Sequence, residues 1–284
     1  MSRLLCFILV TLFVTPGLAG TLVQFRTYWG NIEVELYDQD KPVTVRNFLR
    51  YVQSGRYQNS IFHRCPPNPS TGLTDFVVQG GGYYVANINT APALQRISSF
   101  GNITNEFGVS RRFSNVLGTI AMAKLPGDTN SASSEWFFNL GNNSFLDAPN
   151  TNYFFTVFGH VVRGTNVLQN YLGLSYNNGL QNLGGALSEL PVIYPGPGSP
   201  TFNDLEYVDI SLLNVQVKSG SNYSREISWK SVSGKTNIVE YSNFTNAPPR
   251  WDIFARTNGN GSTLTVIDGS TNAAKRFYRV RVDY

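Results

Sequence analysis

Hydrophobic and polar positions alternate from Thr21 to Tyr37, with Leu22, Phe25, Ile32, Val34 and Leu36 on the apolar side. This period of two predicts two strands joined by a turn near Trp29-Gly30-Asn31. The period then changes. Pro42 opens a stretch in which Val45, Phe48, Leu49 and Val52 recur at helical spacing and Gly55 follows, predicting an amphipathic helix over 42–54. Phe76-Val77-Val78-Gln79 reads as a strand breaking into Gly80-Gly81-Gly82, and further short strands are predicted at Gly118–Ala123 and Phe154–Val162. Asn166 to Leu172 suggests a second helix. Residues 173–204 are rich in Gly, Asn, Pro and Ser, and Pro195-Gly196-Pro197-Gly198 forbids regular structure. Leu205–Leu212 returns to strand.

After Lys218-Ser219-Gly220-Ser221 the rhythm shortens. Five apolar runs, beginning at Ile227, Ile238, Trp251, Leu264 and Phe277, are separated by turn residues. That spacing predicts a small β-sandwich over 224–284 behind a linker at 218–223. The alternative is an extra sheet packed on the preceding domain. At 284 residues and 42% hydrophobic, the chain can bury two cores.

The start of the chain reads as a secretory signal peptide. Arg3 precedes an apolar run from Leu4 to Val14, and Pro16-Gly17-Leu18-Ala19 supplies small residues for cleavage after Ala19. The run is shorter than the roughly 20 residues a membrane span needs, although a retained N-terminal anchor is the competing reading. Processing would leave Cys65 as the only cysteine, so no intrachain disulfide is expected, and Cys65 reads as a buried bystander. The only histidines are His63 and His160, without metal-ligand spacing, so no metal and no cofactor are expected.

Net charge is +4, and the excess lies in residues 220–284, with 9 Lys and Arg against 5 Asp and Glu. These cations are scattered, and Arg279 and Arg281 alternate with apolar residues, so no nucleic-acid footprint is formed. Ser131–Ser134 lies outside any nucleophile-elbow pattern, which argues against a serine hydrolase.

One ordered set of motifs remains: Phe62-His63-Arg64, then Phe76-Val77-Val78-Gln79-Gly80-Gly81-Gly82, then Gly118–Ala123, Ser131–Asn139 (with Glu135-Trp136-Phe137-Phe138), Phe145-Leu146-Asp147 and Val157-Phe158-Gly159. It sets one permanent cation and one amide among aromatic and aliphatic side chains, which suits an uncharged peptide group better than a phosphate or a metal. The set resembles the cyclophilin family of peptidyl-prolyl cis/trans isomerases, from about Thr21 to about Val217. The resemblance implies a mainly β fold: a closed eight-stranded antiparallel barrel with two helices over 20–217. The tail is similar, more loosely, to fibronectin-like modules.

The resemblance also implies roles. Arg64 would stabilise the twisted amide, Gln79 would bind the substrate carbonyl, and Phe76, Val77, Phe137 and Leu146 would seat the proline. Ala123 would line the peptide backbone, with His63 and Phe155 adjoining. Lys124 replaces an asparagine, and Glu135 replaces a second glutamine, placing an anion expected to pair with Arg64 and compete for its donors. Phe145 stands where cyclosporin-sensitive members have tryptophan, so weak cyclosporin binding is expected. Residues 65–75 insert a proline-rich loop at the rim. The expected partners are proline-containing polypeptides outside the cytoplasm, with no nucleic acid and no stable membrane insertion. The alternatives are a proline-peptide binder with decayed turnover and an adhesion protein acting through its tail.

Overall fold

The computed structural model describes residues 21–68, 72, 75–148, 154–193, 198–213, 215–220, 224–231, 236–243, 252–260, 262–270 and 276–283. The expected leader at 1–19, the middle of the 65–75 loop, Pro195 to Pro197 and Trp251 lie outside them.

Strands β1 (Leu22–Thr27) and β2 (Gly30–Leu36) form a hairpin whose turn is Tyr28-Trp29, one residue earlier than the sequence pattern suggests. Helix α1 runs Pro42–Gln53, with Pro42 in its first turn, where its missing N–H costs nothing. Lys41 at the N-cap makes no side-chain cap. Instead the Glu106 carboxylate, 62 residues on from Thr44, accepts the N–H groups of Val43 and Thr44 at 3.1 and 2.7 Å. Val45 and Phe48 are buried as the spacing predicts, Tyr51 is buried with them, and the expected Leu49 and Val52 are only half-buried.

The largest sheet has ten antiparallel strands: β1, β2, β3 (Ser60–Ile61), β4 (Val77–Gly80), β5 (Tyr83–Ala86), β6 (Ala93–Arg96), β7 (Thr119–Met122), β8 (Trp136–Asn139), β9 (Val157–Arg163) and β12 (Tyr207–Leu212). The order is β4-β8-β7-β9-β2-β1-β12-β3-β5-β6. The expectation of a closed eight-stranded barrel is met in part: the sheet is curled, its ladder order runs from β4 to β6, and only an isolated bridge links β4 back toward β3. The β5–β6 hairpin, which extends the sheet beyond β3, accounts for the two strands above eight. Edge β4 returns toward β3 through a bridge between Arg64 and Gln79, in which His63 N–H donates to Gln79 O at 3.0 Å and Gln79 N–H to Arg64 O at 2.8 Å.

The curl encloses Phe25, Phe48, Phe62, Trp136, Phe138 and Phe158, all fully buried. Phe25 meets Trp136 and Phe138 edge to face at 5.0 Å, a geometry aromatic rings favour. The expected second helix is shorter: α2 (Thr165–Leu168) gives way to a 3₁₀ turn at Gln169–Tyr171. A small pair, β10 (Leu180–Gln181) and β11 (Leu190–Pro191), forms inside the segment expected to be irregular.

The tail makes two three-stranded sheets. One has the order β13 (Val215–Ser219), β14 (Arg225–Lys230), β17 (Thr263–Asp268), and the other β16 (Asp252–Asn258), β15 (Thr236–Ser242), β18 (Phe277–Asp283). Ile227 and Trp229 of the first and Val239 and Val280 of the second share one core. The expected linker is displaced, since Lys218 and Ser219 belong to β13 and the chain leaves the larger sheet at Leu212.

Candidate active site

Phe62 and Cys65 are fully buried and His63 nearly so, whereas the Arg64 side chain is 40% exposed. Arg64 is thus the member of this run that faces outward. Its Nε donates to Glu189 Oε2 at 2.8 Å, and its Nη1 stands 3.5 Å from Gln79 Oε1. The Gln79 amide donates from Nε2 to Glu135 Oε2 at 2.6 Å. Glu135 also lies 3.5 Å from His63 Nε2 and 3.9 Å from Arg96 Nη1. The expectation that Glu135 pairs with Arg64 is thereby corrected: Glu135 holds Gln79, and the carboxylate on Arg64 is Glu189. Burial pulls the Glu135 carboxyl upward, but His63, Gln79 and Arg96 outweigh it and hold it below its ordinary value.

Beside these polar groups lies an apolar hollow. Phe76 and Val77 enter β4, Phe137 comes from β8, and Phe145 and Leu146 sit on a 3₁₀ turn at Ser144–Asp147. Phe76 stacks on Phe145 with centroids 5.6 Å apart, and Phe137 meets Phe155 edge to face at 5.6 Å. The Lys124 ammonium stands 4.7 Å from the Phe155 ring centre, and desolvation lowers its pKa. Ala123 N–H donates to Glu135 O at 2.9 Å, continuing the pairing past the ends of β7 and β8.

Polar groups to which the sequence reading gave no role hold the hollow from behind. Asn139 and Asn143 are fully buried; Asn143 Nδ2 donates to Phe76 O at 2.6 Å and to Asn139 Oδ1 at 2.9 Å. Asn115 Nδ2 reaches Asp147 Oδ1 at 2.7 Å and Phe155 O at 3.2 Å. Three walls of the hollow are therefore tied to one amide network. The glycines after Gln79 serve packing: a Cβ at Gly80 would come within 2.6 Å of the Trp136 ring, and Gly81 adopts φ +77°.

Eleven of the twelve residues expected at the site line one open groove of about 630 Å³; the twelfth, His63, is buried behind Gln79 and Glu135. The groove continues past Ala123 to Arg96, Ser99 and Asn102, which the motifs did not reach, and to Ser133, which lies inside the Ser131–Asn139 motif but was given no role. Among the described residues, no group of three or more His, Cys, Asp and Glu is placed to hold a metal ion. Cys65 is inert as a thiol, because burial pushes its pKa up to about 12. No helix among the described residues is long and apolar enough to cross a membrane.

An antiparallel β-protein with an apolar hollow beside an exposed arginine and a held glutamine is equipped to grip a peptide. Residues 22–178, more than half the chain, match the family model of cyclophilin type peptidyl-prolyl cis-trans isomerases, and the chain belongs to that family. A peptidyl-prolyl cis-trans isomerase of Acinetobacter baylyi is 38% identical over 152 residues, which span 54% of this chain and 72% of that protein. Isomerase A of Dickeya dadantii is 36% identical, with 58% and 82% covered, and isomerase B of Escherichia coli is 31% identical, with 54% and 85% covered. A cyclophilin type isomerase of Cryptosporidium parvum, solved in the presence of the dipeptide Ala-Pro, has 20% identity and a TM-score of 0.44, with 68% of this chain and 99% of that one covered.

Proposed function

We propose that this chain is a peptidyl-prolyl cis/trans isomerase whose groove binds X-Pro segments, with the proline in the hollow of Phe76, Val77, Phe137 and Leu146. The prolyl bond turns slowly because amide resonance imposes a barrier of ~18–20 kcal/mol. Catalysis here requires no nucleophile and no proton transfer. The groove has to favour the twisted amide over both planar forms. Twisting localises a lone pair on the prolyl nitrogen, and the Arg64 guanidinium donates to it. Gln79, held by Glu135, orients the substrate carbonyl, and the backbone beside Ala123 carries the peptide.

The observation that carries this reading is the outward Arg64 next to an apolar hollow, across a backbone bridge from Gln79. Exchange between the cis and trans forms of an Ala-Pro-Phe peptide, followed by NMR, tests it. The protein accelerates exchange and Arg64→Ala does not; equal acceleration by both would remove Arg64 from the reaction.

The run from Arg3 to Ala19 supports export to the periplasm or the medium, which makes the clients extracytoplasmic polypeptides in the course of folding. Residues 224–284, with β13 added, form a separate β-sandwich module. Cyclosporin binds weakly, because Phe145 stacks on Phe76 and offers no indole N–H.

A further inference from the structure

The matched family segment ends at residue 178, and Arg64, a residue of the groove, is held by a carboxylate from beyond it. Glu189 lies between a 3₁₀ turn at Gly185–Leu187 and β11, whose Leu190 is fully buried. Leu190 and Val192 pack with Ile61 of β3 and Val85 of β5, so the excursion is fastened to the strand that leads into Arg64. A second fastening is direct: Cys65 N–H donates to the Glu189 carbonyl at 2.7 Å. Residue 189 is thus fixed by its backbone to the neighbour of Arg64, and its side chain reaches Arg64 Nε at 2.8 Å. The Glu189 side chain is only 21% exposed, so the contact is partly shielded from solvent.

We propose that Glu189 is a positioning residue for Arg64. A guanidinium on a flexible stem samples many directions, and fixing it in advance removes an ordering cost from the transition state. Glu189 takes the Nε–H and leaves the terminal N–H groups for the prolyl nitrogen, with Nη1 already beside Gln79. Nothing else among the described residues pairs with Nε. The inference rests on Arg64 acting at the prolyl nitrogen, as proposed above.

A double-mutant cycle on the purified protein tests it, read by NMR exchange of the Ala-Pro-Phe peptide. Glu189→Leu keeps roughly the bulk of the side chain and removes the acceptor. It lowers kcat about tenfold and changes KM by less than about twofold, because only the guanidinium's orientation is lost. In an Arg64→Ala background the same substitution has no further effect on residual exchange, since there is nothing left to position. The Arg64 Nε–H resonance supplies an independent readout. It is resolved and slow to exchange with solvent in the parent and broadened in Glu189→Leu, with the backbone spectrum otherwise retained. Unchanged kcat in Glu189→Leu alongside an inactive Arg64→Ala would overturn the positioning role and leave the isomerase reading standing. Equal losses in both backgrounds would make Glu189 structural. Full activity in Arg64→Ala would overturn both readings at once.

Discussion

Arg64 owes its usefulness to its neighbours' burial. With Phe62, His63 and Cys65 turned inward, the chain has one outward side chain at this point, and it is a guanidinium with a fork of donors. Arg64→Lys therefore fails to preserve function: an ammonium lacks the fork that can hold Glu189 and a prolyl nitrogen together, and kcat falls at least about tenfold. Steady-state exchange kinetics check this. Glu135 behaves differently. Since its partners are Gln79, His63 and Arg96, Glu135→Gln leaves kcat/KM within about threefold of the parent, because it withdraws no competitor from Arg64. A large gain in turnover would show that Glu135 does reach Arg64. The groove residues were legible in the sequence because their order and residue types survive as motifs. Glu189 was not, since 125 residues separate it from Arg64 and no local pattern marks it.

At the scale of elements, helix α1 could be read directly from its proline start, its apolar spacing and the glycine after its end. The Glu106 cap could not, because it comes from a distant loop. Strand β3 is two residues long and escapes any periodicity, and the β5–β6 hairpin beyond it takes the sheet from the expected eight strands to ten. The amide network behind the hollow was hidden too, since a buried asparagine looks in sequence like a turn residue. Asn143→Ala leaves Asn139 Oδ1 without this donor in a closed environment and costs about 1–3 kcal/mol of stability. It also frees the Phe76 carbonyl from one of its donors, so KM for a prolyl peptide rises while kcat changes little. Urea denaturation and kinetics on one preparation check both. At Gly164, which opens α2 with φ +87°, a Cβ would collide with the Asn31 carbonyl, so Gly164→Ala lowers Tm measurably.

For the whole molecule, one buried acid sets a pH dependence. Glu206 is 1% exposed and burial pushes its pKa from 4.5 up to about 7, although hydrogen bonds from Tyr171, the Tyr28 backbone and Trp29 pull the other way. The folded state thus holds its proton longer than the unfolded chain does. Its contribution is fully present below pH 4.5 and is lost as pH rises through 7, to the extent of about 3 kcal/mol. Glu206→Gln removes that slope, so the difference in unfolding free energy between variant and parent grows from pH 5 to pH 8. Equal differences at both pH values would show that the Glu206 carboxyl titrates normally. The tail's strand rhythm was readable as five runs, but the linker expected at 218–223 overlaps Lys218 and Ser219 of β13, because Lys218-Ser219-Gly220-Ser221 is polar and flexible in composition. Its register with β14, from Val215 with Trp229 to Ser219 with Arg225, decides otherwise. A chain ending after Leu213 retains catalysis, because the groove draws nothing from β13–β18.

The most direct test of the account is the rate of cis/trans exchange in an Ala-Pro-Phe peptide with the parent protein and with Arg64→Ala, each first shown by titration to bind the peptide. Acceleration by the parent, lost in a variant that still binds, is the predicted result. Exchange at the uncatalysed rate in the presence of peptide-saturated parent protein would contradict it and make the groove a site for binding alone.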